Sequence, residues 1–322
     1  MVSASRIMLE RMEQRDRQAA RTAAERAWLP EDFVRLGRAA IIALNHDSGH
    51  DGKTNSIGGN YVPGNLERCA YEFLFPILRD VGLSVSERRF VHHVTLMTDP
   101  LLPGEILKYG AALHENRIVT EVAKMERSGK PVPRTLANYA DAQRNFGAIM
   151  YLPRAELERR MAELPRGRAR ELRGLLRAVE ANPELVRETL LIKAADMAGS
   201  FGLSAAANID DERRLHQEMK AANPSSPDII APDGRPIPQR DLYVMLNFVG
   251  ARRQPDGTIR AAFMHPTADR LFGEVLGELE KSARAQLTPD KMAEIESSLI
   301  AHTHHRTTVP RQARDLSSRL DP

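Results

Sequence analysis

His46-Asp47-Ser48-Gly49-His50-Asp51-Gly52-Lys53-Thr54-Asn55 follows directly on the apolar run Ala39-Ala40-Ile41-Ile42-Ala43-Leu44. The run reads as a buried helical segment, so the adjacent His46-Asp47 pair falls where a packed helix ends and is held firmly there. A vicinal His and Asp present an imidazole nitrogen and a carboxylate oxygen from consecutive backbone positions. That donor set suits Zn, Fe, Mn or a carboxylate-bridged pair of metals. His50, Gly52 and Asn55 at fixed offsets favour a metal loop over an ordinary polar helix end.

Outward from this loop the periodicity is helical. Apolar stripes with polar backs predict helices over residues 31–46, 66–80, 86–98, 104–128, 135–150, 154–163, 167–181 and 184–198. Asn182-Pro183-Glu184 is a helix start, with Asn182 as cap and Pro183 in the first turn. Residues 242–249 fit either a strand or a buried helix, and no series of alternating strands stands out. Two more helices are expected over 268–285 and 289–301, with Thr288 capping the second. Residues 221–239, rich in Pro, Ser, Asp and Gly, read as a linker or a lid loop. Asp233-Gly234 and Asp256-Gly257 read as turns. The expected organisation is a domain over 1–210, a linker or lid over 211–240, a helical extension over 241–305 and a disordered tail over 306–322.

Composition narrows the classes. The 322 residues are 42% hydrophobic and 28% charged, ordinary values for a globular chain. No apolar run approaches the ~20 residues that span a bilayer, and Met1-Val2-Ser3-Ala4-Ser5-Arg6 lacks a signal-peptide core, so neither membrane nor export is expected. The single cysteine, Cys69, fits a reducing cytoplasm and packing within a helix. Net charge is +3, and the basic residues alternate with acidic ones, as in Glu156-Leu157-Glu158-Arg159-Arg160. These are read as solvated helix faces, and a nucleic-acid partner is not expected.

Three further positions join the loop as one candidate centre. Glu67 opens the helix Leu66-Glu67-Arg68-Cys69-Ala70-Tyr71-Glu72-Phe73. Thr98-Asp99 ends the helix containing Phe90-Val91-His92-His93-Val94. Asp196 lies near the end of Leu190-Leu191-Ile192-Lys193-Ala194-Ala195-Asp196. A carboxylate in so apolar a helix requires a cation or hydrogen bonds to compensate it, which makes Asp196 a distant ligand for the His46-Asp47 site. His114 is read on a solvated helix face, and His302-Thr303-His304-His305 as a cluster without a functional role.

These residues resemble the HD-domain superfamily of metal-dependent phosphohydrolases, and within it most closely the class I cyclic-nucleotide phosphodiesterases. That family carries H-D-x-x-H-x-G-x-x-N, matched by His46, Asp47, His50, Gly52 and Asn55. Leu66-Glu67, Thr98-Asp99 and Ala195-Asp196 match its later Leu-Glu, Thr-Asp and Ala-Asp pairs in order. The resemblance covers residues 31–205. It implies an all-α, HD-type helical bundle, here with a helical C-terminal extension, and two divalent metal ions (Mg, Mn, Zn or Fe). His46, Asp47 and Asp196 would hold the tighter metal and Asp47 would bridge to the second. His50 would contact the bridging hydroxide or a phosphate oxygen, Glu67 and Thr98 would hold waters, and Asn55 would brace the loop. The implied function is hydrolysis of a phosphodiester or phosphomonoester, with a nucleotide as the substrate class.

The chain departs from that pattern upstream. The family draws a metal-ligand His and a general-acid His from a preceding helix, whereas residues 1–45 contain no histidine. Arg6, Glu10, Glu13 and Asp16 occupy that stretch. Three readings follow: the chain begins after the missing helix, another residue such as His92, His93, Glu10 or Glu13 reaches the metal, or the chain is a degenerate HD-fold binding protein without catalysis. The base-binding positions are also undiagnostic, with Gln239 and Phe248, or Phe263 and Phe272, as candidates.

Overall fold

The computed structural model describes residues 30–46, 48, 56–57, 60–201, 210, 213–214, 217, 221 and 237–300. The chain runs through α1 (Pro30–Asn45), the two-residue strands β1 (Ser56–Ile57) and β2 (Asn60–Tyr61), α2 (Asn65–Asp80), α3 (Val85–Thr98), α4 (Leu102–Arg127) and α5 (Arg134–Phe146). It continues through β3 (Ala148–Ile149), α6 (Arg154–Ala162), α7 (Arg166–Ala181) and α8 (Pro183–Phe201). After residue 237 come α9 (Pro238–Val244), a π-helical turn (Met245–Val249), β4 (Ala251–Arg253), β5 (Ile259–Ala261), α10 (Pro266–Ala285) and α11 (Pro289–Ile300). The fold is mostly helical, and among the described residues no helix is long and apolar enough to cross a membrane.

Local chemistry sets the helix ends. Gly64 enters α2 in the left-handed region (φ 65°), and a Cβ there would sit 3.1 Å from the Leu96 side chain. Leu66, Ala70, Leu74 and Leu78 then recur at four-residue spacing and are buried. Ser84 starts α3 with a reciprocal capping box: its side chain accepts from the Glu87 backbone N–H, and Glu87 accepts from the Ser84 N–H. The Asn182 side chain accepts from the backbone N–H groups of Glu184 and Leu185 at 3.0 and 3.2 Å, as the cap reading expects. Thr288 accepts from the Lys291 N–H at 3.4 Å in the first turn of α11.

α8 is the axis of the fold. It packs against α1, α3, α4, α7, α10 and the π-helical turn. Every residue from Glu188 to Ala195 is buried, so this helix has no solvated back and no one-sided stripe. Its contacts close one continuous core that includes Ile42, Leu74, Met97, Ile106, Leu175, Leu191, Phe263 and Leu276.

Three expectations are corrected. The helix expected over 135–150 stops at Phe146, because Gly147 adopts φ 80° and β3 turns into a sheet. That sheet, ordered β3-β4-β5 and antiparallel throughout, was not foreseen; Ile149 pairs with Arg252, and Arg252 with Arg260. Residues 242–249 take the buried helical alternative, as the end of α9 followed by the π-helical turn. The segment expected as a helical extension thus carries the hairpin β4–β5, and α10 lies against α8. Asp256-Gly257 is the turn of that hairpin, with Gly257 at φ 88° and Asp256 accepting from the Thr258 N–H at 2.9 Å. Asp233-Gly234, most of the 211–240 linker and the 306–322 tail lie outside the described residues.

Candidate metal centre

The end of α1 places the first donor. The His46 N–H continues the helical ladder to the Ile42 carbonyl at 2.8 Å, and the Ser48 N–H closes a turn on the Asn45 carbonyl at 3.0 Å. His46 Nδ1 lies 3.2 Å from the Ala43 carbonyl oxygen, an acceptor that seats a proton on Nδ1 and makes Nε2 the ligating nitrogen of a neutral ring. Nε2 stands 3.7 Å from Asp196 Oδ1, and the two side chains are 10% and 24% exposed. This spacing is too long for a hydrogen bond. Two donors that each lie about 2.0–2.2 Å from one metal are separated by up to about 4 Å, so the pair fits a shared ion.

The other described candidates line the same end of the bundle. Glu67, in the first turn of α2, is buried. Thr98, the last residue of α3, is buried and donates its hydroxyl proton to the Thr95 carbonyl at 2.7 Å, so its oxygen is left as an acceptor. Asp99 is fully buried and serves the scaffold: its carboxylate accepts from the Gly64 N–H at 2.5 Å and the Leu101 N–H at 2.6 Å. It thereby ties the entry of α2 to the α3–α4 turn. Asp47, His50 and Asn55 lie outside the described residues, as do Arg6, Glu10, Glu13, Asp16 and the His302–His305 cluster. Among the described residues no three His, Cys, Asp or Glu side chains gather closely enough to hold a metal ion.

One group was not singled out in the sequence. Lys193 precedes Asp196 by three residues on α8, the spacing that puts two side chains on one helix face. It is 3% exposed, and its ammonium donates to the Thr98 carbonyl at 3.2 Å. Burial pushes its pKa down to about 8, nearby Lys108 pushes the same way, and Asp196, Asp99 and Glu67 oppose them. The only signal in the sequence was a charge inside an apolar run.

Other described histidines have surroundings of their own. His92 stacks on Tyr71 with ring centroids 4.4 Å apart, and its Nε2 lies 3.2 Å from Glu171 on α7. His93 is held below the ordinary histidine range, near 4, chiefly by burial, with His92 and Arg89 adding and Glu171 opposing. His114 corrects its reading: it is buried, with Nε2 2.8 Å from the Val179 carbonyl at the end of α7. Phe263 is 1% exposed and packs edge-on against Phe272 at 6.2 Å, so its faces belong to the core and do not clamp a base.

No protein-family model, curated protein or solved structure matches this chain.

Proposed function

We propose that the chain is a metal-dependent phosphoric ester hydrolase acting on a small phosphorylated substrate, with a nucleotide as the favoured class. The observation that carries the reading is the approach of His46 Nε2 to Asp196 Oδ1, residues 150 apart in sequence, at a ligand-to-ligand spacing. In this reading His46, Asp47 and Asp196 would hold the first metal, His50 would contact a bridging hydroxide or a phosphate oxygen, Glu67 and Thr98 would hold waters of a second metal, and Asn55 would brace the loop. The chemistry a divalent ion would supply there is acidification of a bound water and neutralisation of charge on the phosphoryl group. The chain's part is placement: α1 presents an imidazole in a fixed tautomer, α8 presents the carboxylate from the most buried helix, and α3 offers the Thr98 oxygen as an acceptor.

Elemental analysis of purified protein, beside turnover of bis-p-nitrophenyl phosphate and p-nitrophenyl phosphate, tests this. Both His46→Ala and Asp196→Ala are expected to lose bound metal and to lower turnover by two orders of magnitude or more, with the helical circular dichroism retained. Metal content and turnover unchanged in both variants would overturn the reading. A second reading, a nucleotide-binding protein without catalysis, is favoured by the absence of histidine from residues 1–45 and by the buried Lys193 ammonium beside the centre. It expects nucleotide affinity without product.

A further inference from the structure

The last turns of α2 lie at an edge of the bundle. From Glu72 to Gly82 only Leu74 and Leu78 are buried. Phe73, Ile77 and Val81 follow one another at four-residue spacing, and the Val81 N–H still donates to the Ile77 carbonyl at 3.0 Å, so the three side chains form one row. With Val85 at the start of α3 they are the four most exposed large apolar side chains among the described residues, from 49% for Ile77 to 64% for Val85. Phe75, on another side of α2, is engaged by Tyr71 at 6.0 Å and by Arg88 at 5.5 Å. The four exposed residues present roughly 400 Å² of apolar surface, a size that marks an interaction site.

We propose that this row is a homodimer interface, in which α2 of one copy packs antiparallel on α2 of a second across a two-fold axis at Ile77. The chemistry of the face favours a second copy over a charged partner. Its rim charges are already neutralised within the chain, Glu72 by Arg68 at 2.7 Å and Asp80 by Arg79 at 3.0 Å. The row is also self-complementary. A two-fold at Ile77 sets Phe73 of each copy opposite Val81 of the other, a large side chain against a small one, and Ile77 against Ile77. Glu72 falls opposite Gly82 and Arg79 opposite Phe75, so no like charges meet. The area is sufficient for a stable pair. A homodimer interface about two-thirds apolar and built on this patch buries roughly 1,200 Å² in total, the lower edge of the standard size. The proposal stands apart from the hydrolase reading, since none of these residues belongs to the candidate centre.

Sedimentation equilibrium of the full chain at about 1 to 200 μM tests the pairing. The unmutated chain is expected to rise from 36.0 kDa toward twice that mass as concentration increases. Ile77→Lys and Ile77→Glu each set like charges face to face on the axis, and each is expected to weaken association at least about tenfold. An equimolar mixture of the two sets opposite charges there and is expected to regain the dimer. Phe73→Ser, away from the axis, is expected to weaken association about tenfold. Both positions are exposed, so helical circular dichroism is expected to match that of the unmutated chain. An unmutated chain that stays at 36.0 kDa throughout assigns the face to another occupant and overturns the proposal. So does a dimer that persists in the Ile77 and Phe73 variants, or a mixture that stays monomeric. If the Ile77 variants lose helicity, weakened association of Phe73→Ser supports the proposal and unchanged association overturns it.

Discussion

Replacing Arg252 with methionine tests how the C-terminal hairpin is fastened to the bundle. Arg252, on β4, is 1% exposed and faces Glu115 of α4, which is 3% exposed. One guanidinium nitrogen reaches both Glu115 oxygens, at 3.0 and 3.3 Å, and the Gly147 carbonyl at 2.9 Å; another lies 3.4 Å from the Met264 carbonyl. Methionine fills most of the volume but takes the guanidinium from a buried carboxylate and removes the donor to Gly147. Breaking one partner of such a pair costs about 3–5 kcal/mol, which corresponds to a fall in Tm of roughly 6–15 °C. Arg252→Met combined with Glu115→Leu removes both charges, so its loss is expected to fall at least about 2 kcal/mol short of the sum of the single variants. Thermal unfolding followed by circular dichroism, with urea melts for the coupling, reads both quantities. A single variant within about 1 kcal/mol of the unmutated chain, or strict additivity, would refute the pairing as the fastening.

Other expectations are shorter. Gly110→Ala places a Cβ 2.1 Å from a Val179 methyl and 3.0 Å from one of Val186; a loss of about 1–3 kcal/mol is expected by thermal melt, with Val179→Ala in the same chain restoring part of it. Gly147→Ala meets both a φ of 80° and the Arg253 carbonyl oxygen at 2.3 Å, so urea unfolding should show a loss above about 1 kcal/mol. His93 stays neutral in the fold down to about pH 4, while the unfolded chain takes up that proton near 6.5. Its contribution to stability is therefore present above pH 6.5 and declines between 6.5 and 4, by roughly 2–3 kcal/mol. His93→Gln should flatten that part of the pH profile of Tm, and an unchanged profile would refute the assignment.

Much of the helical framework was legible because its elements are one-sided and punctuated. Leu66, Ala70, Leu74 and Leu78 mark the buried stripe of α2, and Asn182-Pro183 marks the start of α8. The sheet was not legible because its strands are two or three residues long, too short for alternation to register. What bends the chain into it is local, the positive φ of Gly147 and Gly250. Buried polar side chains were not legible for a different reason. Arg252, Glu115 and His114 look solvated in sequence, and only tertiary pairing, with a carboxylate or a carbonyl, makes their burial tolerable. Of the candidate centre, the sequence suggested the distant pairing of His46 with Asp196, since a metal-donor set and a lone acid in an apolar helix each needed a partner. It gave no comparable sign of Lys193, whose significance depends on which carboxylates surround it.

The centrality of α8 bears on how this protein tolerates change. Asp196 and Lys193 are carried by the same helix whose other faces meet α1, α3, α4, α7 and α10. A substitution along it disturbs the candidate centre and foldability together, and a variant at these positions needs a measure of folding beside any functional assay. Diversification near the candidate centre is better placed at a position such as Leu44 of α1, which is exposed two residues before His46 and where a changed side chain leaves the axis intact.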